Sequence, residues 1–284
     1  IITNISYAHS KNFKNINGIA LAKAEIIKNI RQNGTVILNG DDRFFNFHKK
    51  LALKKRLNIL SFGIKKQSLS TRLIRVKKIN GRFKFLIKIG NNLYNFYSKN
   101  NNKSNIYNIL ATLTVLNIFK SLTKISNKIF LNFKSPEGRG DISKIKINKK
   151  NVVLVDETYN SNPLSLRTAI ENFDKIEKVN LKKYIILGDM LELGDHTLKQ
   201  HKLISKIINQ SNIDKVYVYG NYIKETFKGL KTNKKAKILT KKSEIIDLIN
   251  REVTNNDYLM IKGSNSTGLN KISTILKHRN SHAI

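Results

Sequence analysis

From Asn151 onward the chain alternates short apolar runs with longer stretches of helical periodicity, and this alternation restricts the fold more than any other feature. Strands are expected at Asn151 to Val155 and in "KYIILGD", "KVYVYG" and "YLMIKG". Helices are expected from Pro163 to about Ile176, Thr197 to about Gln210, Tyr222 to Leu230, Lys242 to about Glu252 and Leu269 to about His278. Neighbouring parallel strands need a crossover long enough to hold a helix, so repeated βα units read as an open, doubly wound parallel sheet.

The first half reads differently. "GTVILNGDD" (Gly34 to Asp42) and "LNILSFG" (Leu57 to Gly63) are short buried strands, the first ending in a polar turn. Between Arg72 and Tyr97, apolar and polar residues alternate around the hairpin signals Asn80-Gly81 and Gly90-Asn91, which predicts an antiparallel meander. "NIYNILATLTVLNIFKSL" follows as a helix behind an Asn or Ser cap. The fold class is α/β, and a length of 284 residues suits two domains. A mixed-sheet domain with antiparallel hairpins is expected over 1–134 and a Rossmann-like domain over 135–284.

Composition excludes several chemistries. Without Cys there is no disulfide framework, thiol nucleophile or Cys-based zinc site. No apolar run approaches the roughly 18 residues of a membrane span, and "IITNISYAHS" lacks a secretion-signal pattern, so a cytoplasmic protein without a membrane partner is expected. Lys and Arg number 53 against 19 Asp and Glu, a net charge of +34. That balance suits a non-catalytic, nucleic-acid-binding protein. The lysines are scattered, however, and accompany many Asn and Ile, residues that AT-rich codons supply. Compositional drift is therefore the preferred reading, and the nucleic-acid binder is its rival.

The polar clusters share one location. "DETYNSNP" (Asp156 to Pro163), "GDMLELGD" (Gly188 to Asp195), Gly220-Asn221 and "KGSNS" (Lys262 to Ser266) each follow an expected strand. In an open α/β sheet, ligands bind at the carboxyl ends of strands. Pro163 fits the first position of a helix, where its missing N–H costs nothing.

"TNISYAHSKNF", "AKAEI", "LNGDD", "SNIYN", "GRGD", "VDETYNSNP", "LGDMLELGD" and "IKGS" fall in the order and rough spacing of the Mur ligases, and from Ile2 to about Ile272 the chain resembles that family. "LGDMLELG" and the "YNSNP" loop bring it nearest to the members that add D-alanyl-D-alanine to UDP-N-acetylmuramoyl-tripeptide in peptidoglycan synthesis. A related folylpolyglutamate-type ligase is the alternative within this chemistry.

The resemblance implies ATP and magnesium as cofactors. It implies His9 and a carbamylated Lys23 as catalytic metal ligands, with an ordinary helix lysine as the other reading of Lys23. For the nucleotide it implies Asn105, Asn108, Arg139 and an acid from the pair Asp156 and Glu157. For the dipeptide and domain closure it implies Tyr159, Asn160, Asn162, Asp189, Glu192, Lys262 and Ser264. "LNGDD" has either a family role or a turn role.

Three features depart from the family. No Gly-Lys dipeptide occurs, so the glycine-rich phosphate loop is missing. Asn265 stands where the family usually has Arg after "KGS". No counterpart of the UDP-sugar domain precedes Ile1, so the expectation is a carboxy-terminal part of a ligase, inactive alone. It would be either an incomplete sequence or one piece of a split enzyme completed by a second chain.

Overall fold

The computed structural model describes residues 1–8, 10–133, 135–177 and 179–278. It divides into two compact units: Ile1–Ser6 with Asn15–Phe133, and Tyr7–Lys14 with Lys134–Ile284. The grouping differs from the expected boundary in assigning Tyr7–Lys14 to the second unit.

The first unit holds a five-stranded sheet in the order β1 (Thr35–Asn39), β2 (Asn58–Gly63), β3 (Thr71–Ile79), β4 (Arg82–Ile89), β5 (Asn92–Ser98). β1, β2 and β3 run parallel, and β3 to β5 form the antiparallel meander. Both tight turns carry glycine in the left-handed region, Gly81 at φ 73° and Gly90 at φ 58°. Ile2 extends the sheet by a parallel bridge to Leu38. Helix α1 (Ile16–Lys28) was anticipated only in the reading of Lys23 as an ordinary helix lysine, and α2 (Phe45–Lys54) was not anticipated; α3 (Lys103–Phe119) was, and it starts behind an Asn102 cap. Strand alternation sends Phe85, Ile87 and Ile89 into a core with Ile109, Leu110 and Leu113 of α3.

The second unit holds six strands: β6 (Asp141–Ile147), β7 (Lys150–Glu157), β8 (Lys183–Gly188), β9 (Lys215–Tyr219), β10 (Lys235–Leu239) and β11 (Tyr258–Lys262). Their order is β10-β9-β8-β11-β7-β6. All neighbours are parallel except β6, which pairs antiparallel with β7. The expected parallel sheet is thus present and carries two edge strands that were not expected, β6 and β10.

Helices cover both faces. α7 (Ser243–Glu252) and α8 (Leu269–His278) pack against Leu154, Ile186 and Ile261. α4 (Pro163–Asp174) and α5 (Thr197–Asn209) pack against Val155, Leu187 and Met260. Consecutive β11 residues alternate between the two cores, so a sheet buried on both sides produces the continuous apolar runs seen in the sequence. α6 (Lys224–Lys228) is a short helix after β9.

Candidate functional site

β9, β8, β11 and β7 are adjacent, so the loops leaving their carboxyl ends meet on one edge. Side chains of those loops bind the backbone of neighbouring loops. Lys262, only 2% exposed, donates from Nζ to the Asn160 carbonyl at 2.9 Å. Ser264 Oγ accepts from Leu191 N at 2.8 Å and donates to the Ser161 carbonyl at 3.2 Å. Asp189 accepts from Asn221 N at 3.0 Å and Ile223 N at 2.7 Å, tying the loop after β8 to the turn after β9. Asn265 donates to the Tyr159 carbonyl at 3.3 Å. Asn162 caps α4 by accepting from Ser165 N at 2.9 Å, with Pro163 at the first helical position.

A tight turn sits beside β7. Arg139 N bonds the Pro136 carbonyl at 3.1 Å across Gly138, whose φ is 70°. A positive φ at the third position makes this a type II turn and favours glycine. Space demands glycine too, because a Cβ would come within 2.6 Å of Tyr159 N. The turn sets the exposed Arg139 guanidinium 4.0 Å from the Tyr159 ring centroid, in cation–π geometry. The guanidinium makes no hydrogen bond to a described residue, so its donor fork is open to an anion.

The paired acids of "DETYNSNP" have separate environments. Asp156 is buried and accepts from Thr158 N at 3.0 Å, while Lys277 Nζ lies 2.5 Å from its other oxygen and 2.6 Å from Asp141. Burial alone would raise the Asp156 pKa, but the bonds from Lys277 and Thr158 outweigh it and hold the carboxyl below its usual range. Glu157 lies 3.5 Å from Lys262. Burial pushes the Glu157 pKa up, opposed by the Lys262 charge. Burial pushes Lys262 down, opposed by Glu157.

The loop after β8 is held from two sides. His201 is fully buried on α5, accepts from Met190 N at Nε2 (3.0 Å) and donates from Nδ1 to the Thr197 carbonyl (2.7 Å). These partners fix one neutral tautomer, and burial lowers its pKa. Sequence reasoning missed this residue, whose signal is a His on the apolar face of an amphipathic helix. Tyr7, Ser10 and Lys11 lie along the same loop. Lys11 N donates to the Glu192 carbonyl at 3.0 Å, Ser10 Oγ to the Leu193 carbonyl at 3.2 Å, and Tyr7 packs 4.7 Å from the His196 ring. Glu192 itself is exposed, at φ 62°.

The remaining candidates other than His9 belong to the first unit. Asn105 donates from Nδ2 to the Asn100 carbonyl (2.7 Å) and Ser98 Oγ (3.1 Å), anchoring the loop before α3, and Asn108 is exposed one turn later. "LNGDD" is a turn nexus: Asp41 accepts from Ile64 N and the Tyr107 hydroxyl, and Asp42 from Ile5 N and Phe44 N. Of its two expected roles, these bonds account for the structural one. Lys23 is exposed on α1. His9 lies outside the described residues. Among the described residues no group of three or more His, Asp or Glu side chains gathers to hold a metal ion.

Residues 1–116 match the Mur ligase middle domain and residues 142–265 the Mur ligase glutamate ligase domain. The chain is 30% identical to the UDP-N-acetylmuramoyl-tripeptide--D-alanyl-D-alanine ligase of Rickettsia prowazekii over 96% of its own length, spanning 59% of that protein. It is 32% identical to the enzyme of the same name from Buchnera aphidicola (subspecies Acyrthosiphon pisum), again over 96% of the chain and 58% of the relative. In fold it is similar to MurF from Acinetobacter baumannii, with a TM-score of 0.82, 23% identity and coverage of 98% of this chain and 59% of that one. MurF from Thermotoga maritima, solved in complex with ADP, gives a TM-score of 0.77 at 23% identity, covering 99% and 62%. The chain thus spans about three-fifths of the length of these relatives. Carrying both the middle and the glutamate ligase domain, it belongs to the Mur ligase family.

Proposed function

We propose that these residues form the ATP-using and amine-accepting part of a ligase that joins D-alanyl-D-alanine to UDP-N-acetylmuramoyl-tripeptide, a step of peptidoglycan-precursor synthesis in the cytoplasm. The supporting observation is the carboxyl edge of the second unit, where the "YNSNP", "GDMLELGD" and "KGS" loops are bonded to one another through Lys262 and Ser264. The two relatives above carry this activity in their names. No helix among the described residues is long and apolar enough to cross a membrane.

In this reading the γ-phosphoryl group of ATP passes to the tripeptide's terminal carboxylate, giving an acyl phosphate and ADP. The dipeptide amine attacks the acyl carbon, phosphate leaves with the bonding pair, and the amine loses its proton. The chain's part is orientation and electrostatics. Arg139, with an open donor fork on a fixed turn, binds nucleotide phosphate or ribose, and Glu157, at the carboxyl end of β7, is the hydroxyl-accepting acid. Asn105 and Asn108 serve the base. Asn105 has its amide N–H groups engaged, so its carbonyl oxygen is the group that would meet a ligand. Tyr159, Asn160 and Glu192, exposed residues of the same loops, are assigned to the dipeptide. Lys262, Ser264, Asp189 and Asn162 shape those loops from beneath, through the backbone bonds above.

Magnesium belongs to the same proposal through His9 and Lys23. Lys23 offers an oxygen ligand only as a carbamate. As a lone exposed lysine without a gathered anionic partner it does not make a magnesium site, so no step is routed through the metal.

The experiment is product formation from the dipeptide, the UDP-linked tripeptide and ATP by a polypeptide containing these residues together with a phosphate-loop segment. The expected result is one ADP per amide bond. Amide formation with another amine acceptor, at the exclusion of D-alanyl-D-alanine, would instead favour a related ligase.

A further inference from the structure

The solvent face of the antiparallel meander carries charge of one sign. With Phe85, Ile87, Ile89 and Phe96 in the core, strand alternation puts Arg72, Arg75 and Lys77 of β3 and Arg82, Lys84 and Lys88 of β4 on the opposite face, with Leu86, Leu93 and Tyr97. Arg72 stands directly opposite Lys88, and Lys77 directly opposite Lys84. Across the next pair, Lys88 faces Leu93 and Lys84 faces Tyr97. No acid occurs between Asp42 and Glu137, and none of these six cations forms an ion pair with a described residue. Arg72 Nε is buried without a hydrogen-bond partner. Like charges directly opposed on a sheet are destabilising, so the face is costly in the isolated chain and is relieved by an anionic partner.

We propose that this face docks on an anionic bilayer surface, with phospholipid headgroups between the cations. Two observations favour a bilayer over nucleic acid. The face is built on three antiparallel strands with no helix to enter a nucleic-acid groove, and exposed aliphatic side chains flank the cations, Leu93 at 60% and Ile79 at 41% exposure. A bilayer interface accepts both groups, as lysine and arginine stems lie along apolar surface and their heads reach the phosphates. Tyr97 is the one aromatic on the face, too few for the stacking platforms that bind single-stranded nucleic acid. The contact is peripheral and independent of any membrane-spanning segment.

The test is co-sedimentation of the chain with vesicles of phosphatidylcholine alone or mixed with phosphatidylglycerol. Binding is expected only to the mixed vesicles and should weaken as salt rises. Each cation near an anionic surface is worth about fivefold, so Lys77→Gln/Lys84→Gln/Lys88→Gln together should weaken binding on the order of 100-fold. An equally charged control on α2, Lys49→Gln/Lys50→Gln/Lys54→Gln, should bind almost as wild type. Relief of opposed charges should leave the first triple variant melting no lower than wild type, and Lys84→Gln alone should show about fivefold weakening. Equal loss in both triples would overturn the proposal in favour of diffuse charge. Absence of binding to the mixed vesicles, or preferential binding of single-stranded RNA through the same lysines, would overturn it as well.

Discussion

The Asp189 carboxylate accepts from the backbone N–H of Ile223 at 2.7 Å and so joins the loop after β8 to the turn after β9. Its other oxygen takes Asn221 N at 3.0 Å. The acid of the "GDM" stretch therefore acts on its own backbone. Asp189→Ala should destabilise the chain by about 2–3 kcal/mol, because one buried and one partly buried N–H group lose a charged acceptor. Thermal melts check this. A melting point unchanged beside a large loss of dipeptide affinity would assign Asp189 to the ligand instead.

Lys277 ties Asp156 to Asp141 beneath the "DETYNSNP" loop. Lys277→Met leaves two acids close together, one of them buried, and should cost about 3 kcal/mol. The pH dependence follows from two shifts. The Asp156 pKa is lowered, so its contribution is present above the unfolded value and lost as pH falls through the folded one. The Lys277 pKa is raised, burial being outweighed by the bonds it donates to Asp141 and Asp156, so its contribution is present below the unfolded value and lost as pH rises through the folded one. The bridge should stabilise across the whole neutral range. A denaturation series in which the variant's deficit appeared only at one end of that range would contradict this.

His201 supplies an acid-labile point. Its folded pKa is lowered by burial, opposed by the Thr197 carbonyl and the charges of Asp189 and Glu225. The unfolded chain then takes up the proton first as pH falls below about 6.5, and stability drops by up to about 1.4 kcal/mol per pH unit until the folded value is reached. His201→Gln should flatten that slope, read by denaturant unfolding at stepwise lower pH. An equal slope in the variant would place the acid sensitivity elsewhere.

Arg139→Ala should raise the KM for ATP through loss of a charge-assisted donor worth about 1.5–3 kcal/mol, with little change in dipeptide affinity. Steady-state kinetics with each substrate varied in turn separates the two. A change confined to the dipeptide would reassign Arg139.

The parallel sheet was legible because strands buried on both faces leave unbroken apolar runs, as in "KYIILGD". β6 was not. "DISKIKI" alternates well, but its turn to β7 is Asn148-Lys149, both at positive φ (46° and 67°), and without glycine it gives no hairpin signal. β10, "KAKIL", hides as a short lysine-rich edge strand. The site was legible as a location, one sheet edge with four polar loops. The duties of its side chains were not: an amide or carboxylate that caps a helix, as Asn162 does, has the same chemistry as one that binds a ligand. Where the side chain bonds backbone, only coordinates separate the two.

The ligase assignment is tested most directly by a chimera in which this chain replaces the matching part of the Rickettsia prowazekii ligase. The measurement is ATP-dependent formation of the amide product from UDP-N-acetylmuramoyl-tripeptide and D-alanyl-D-alanine, with ADP release followed in parallel. The account predicts turnover that requires both substrates and falls with Arg139→Ala. A folded chimera that binds ATP yet forms no amide bond with D-alanyl-D-alanine would contradict it.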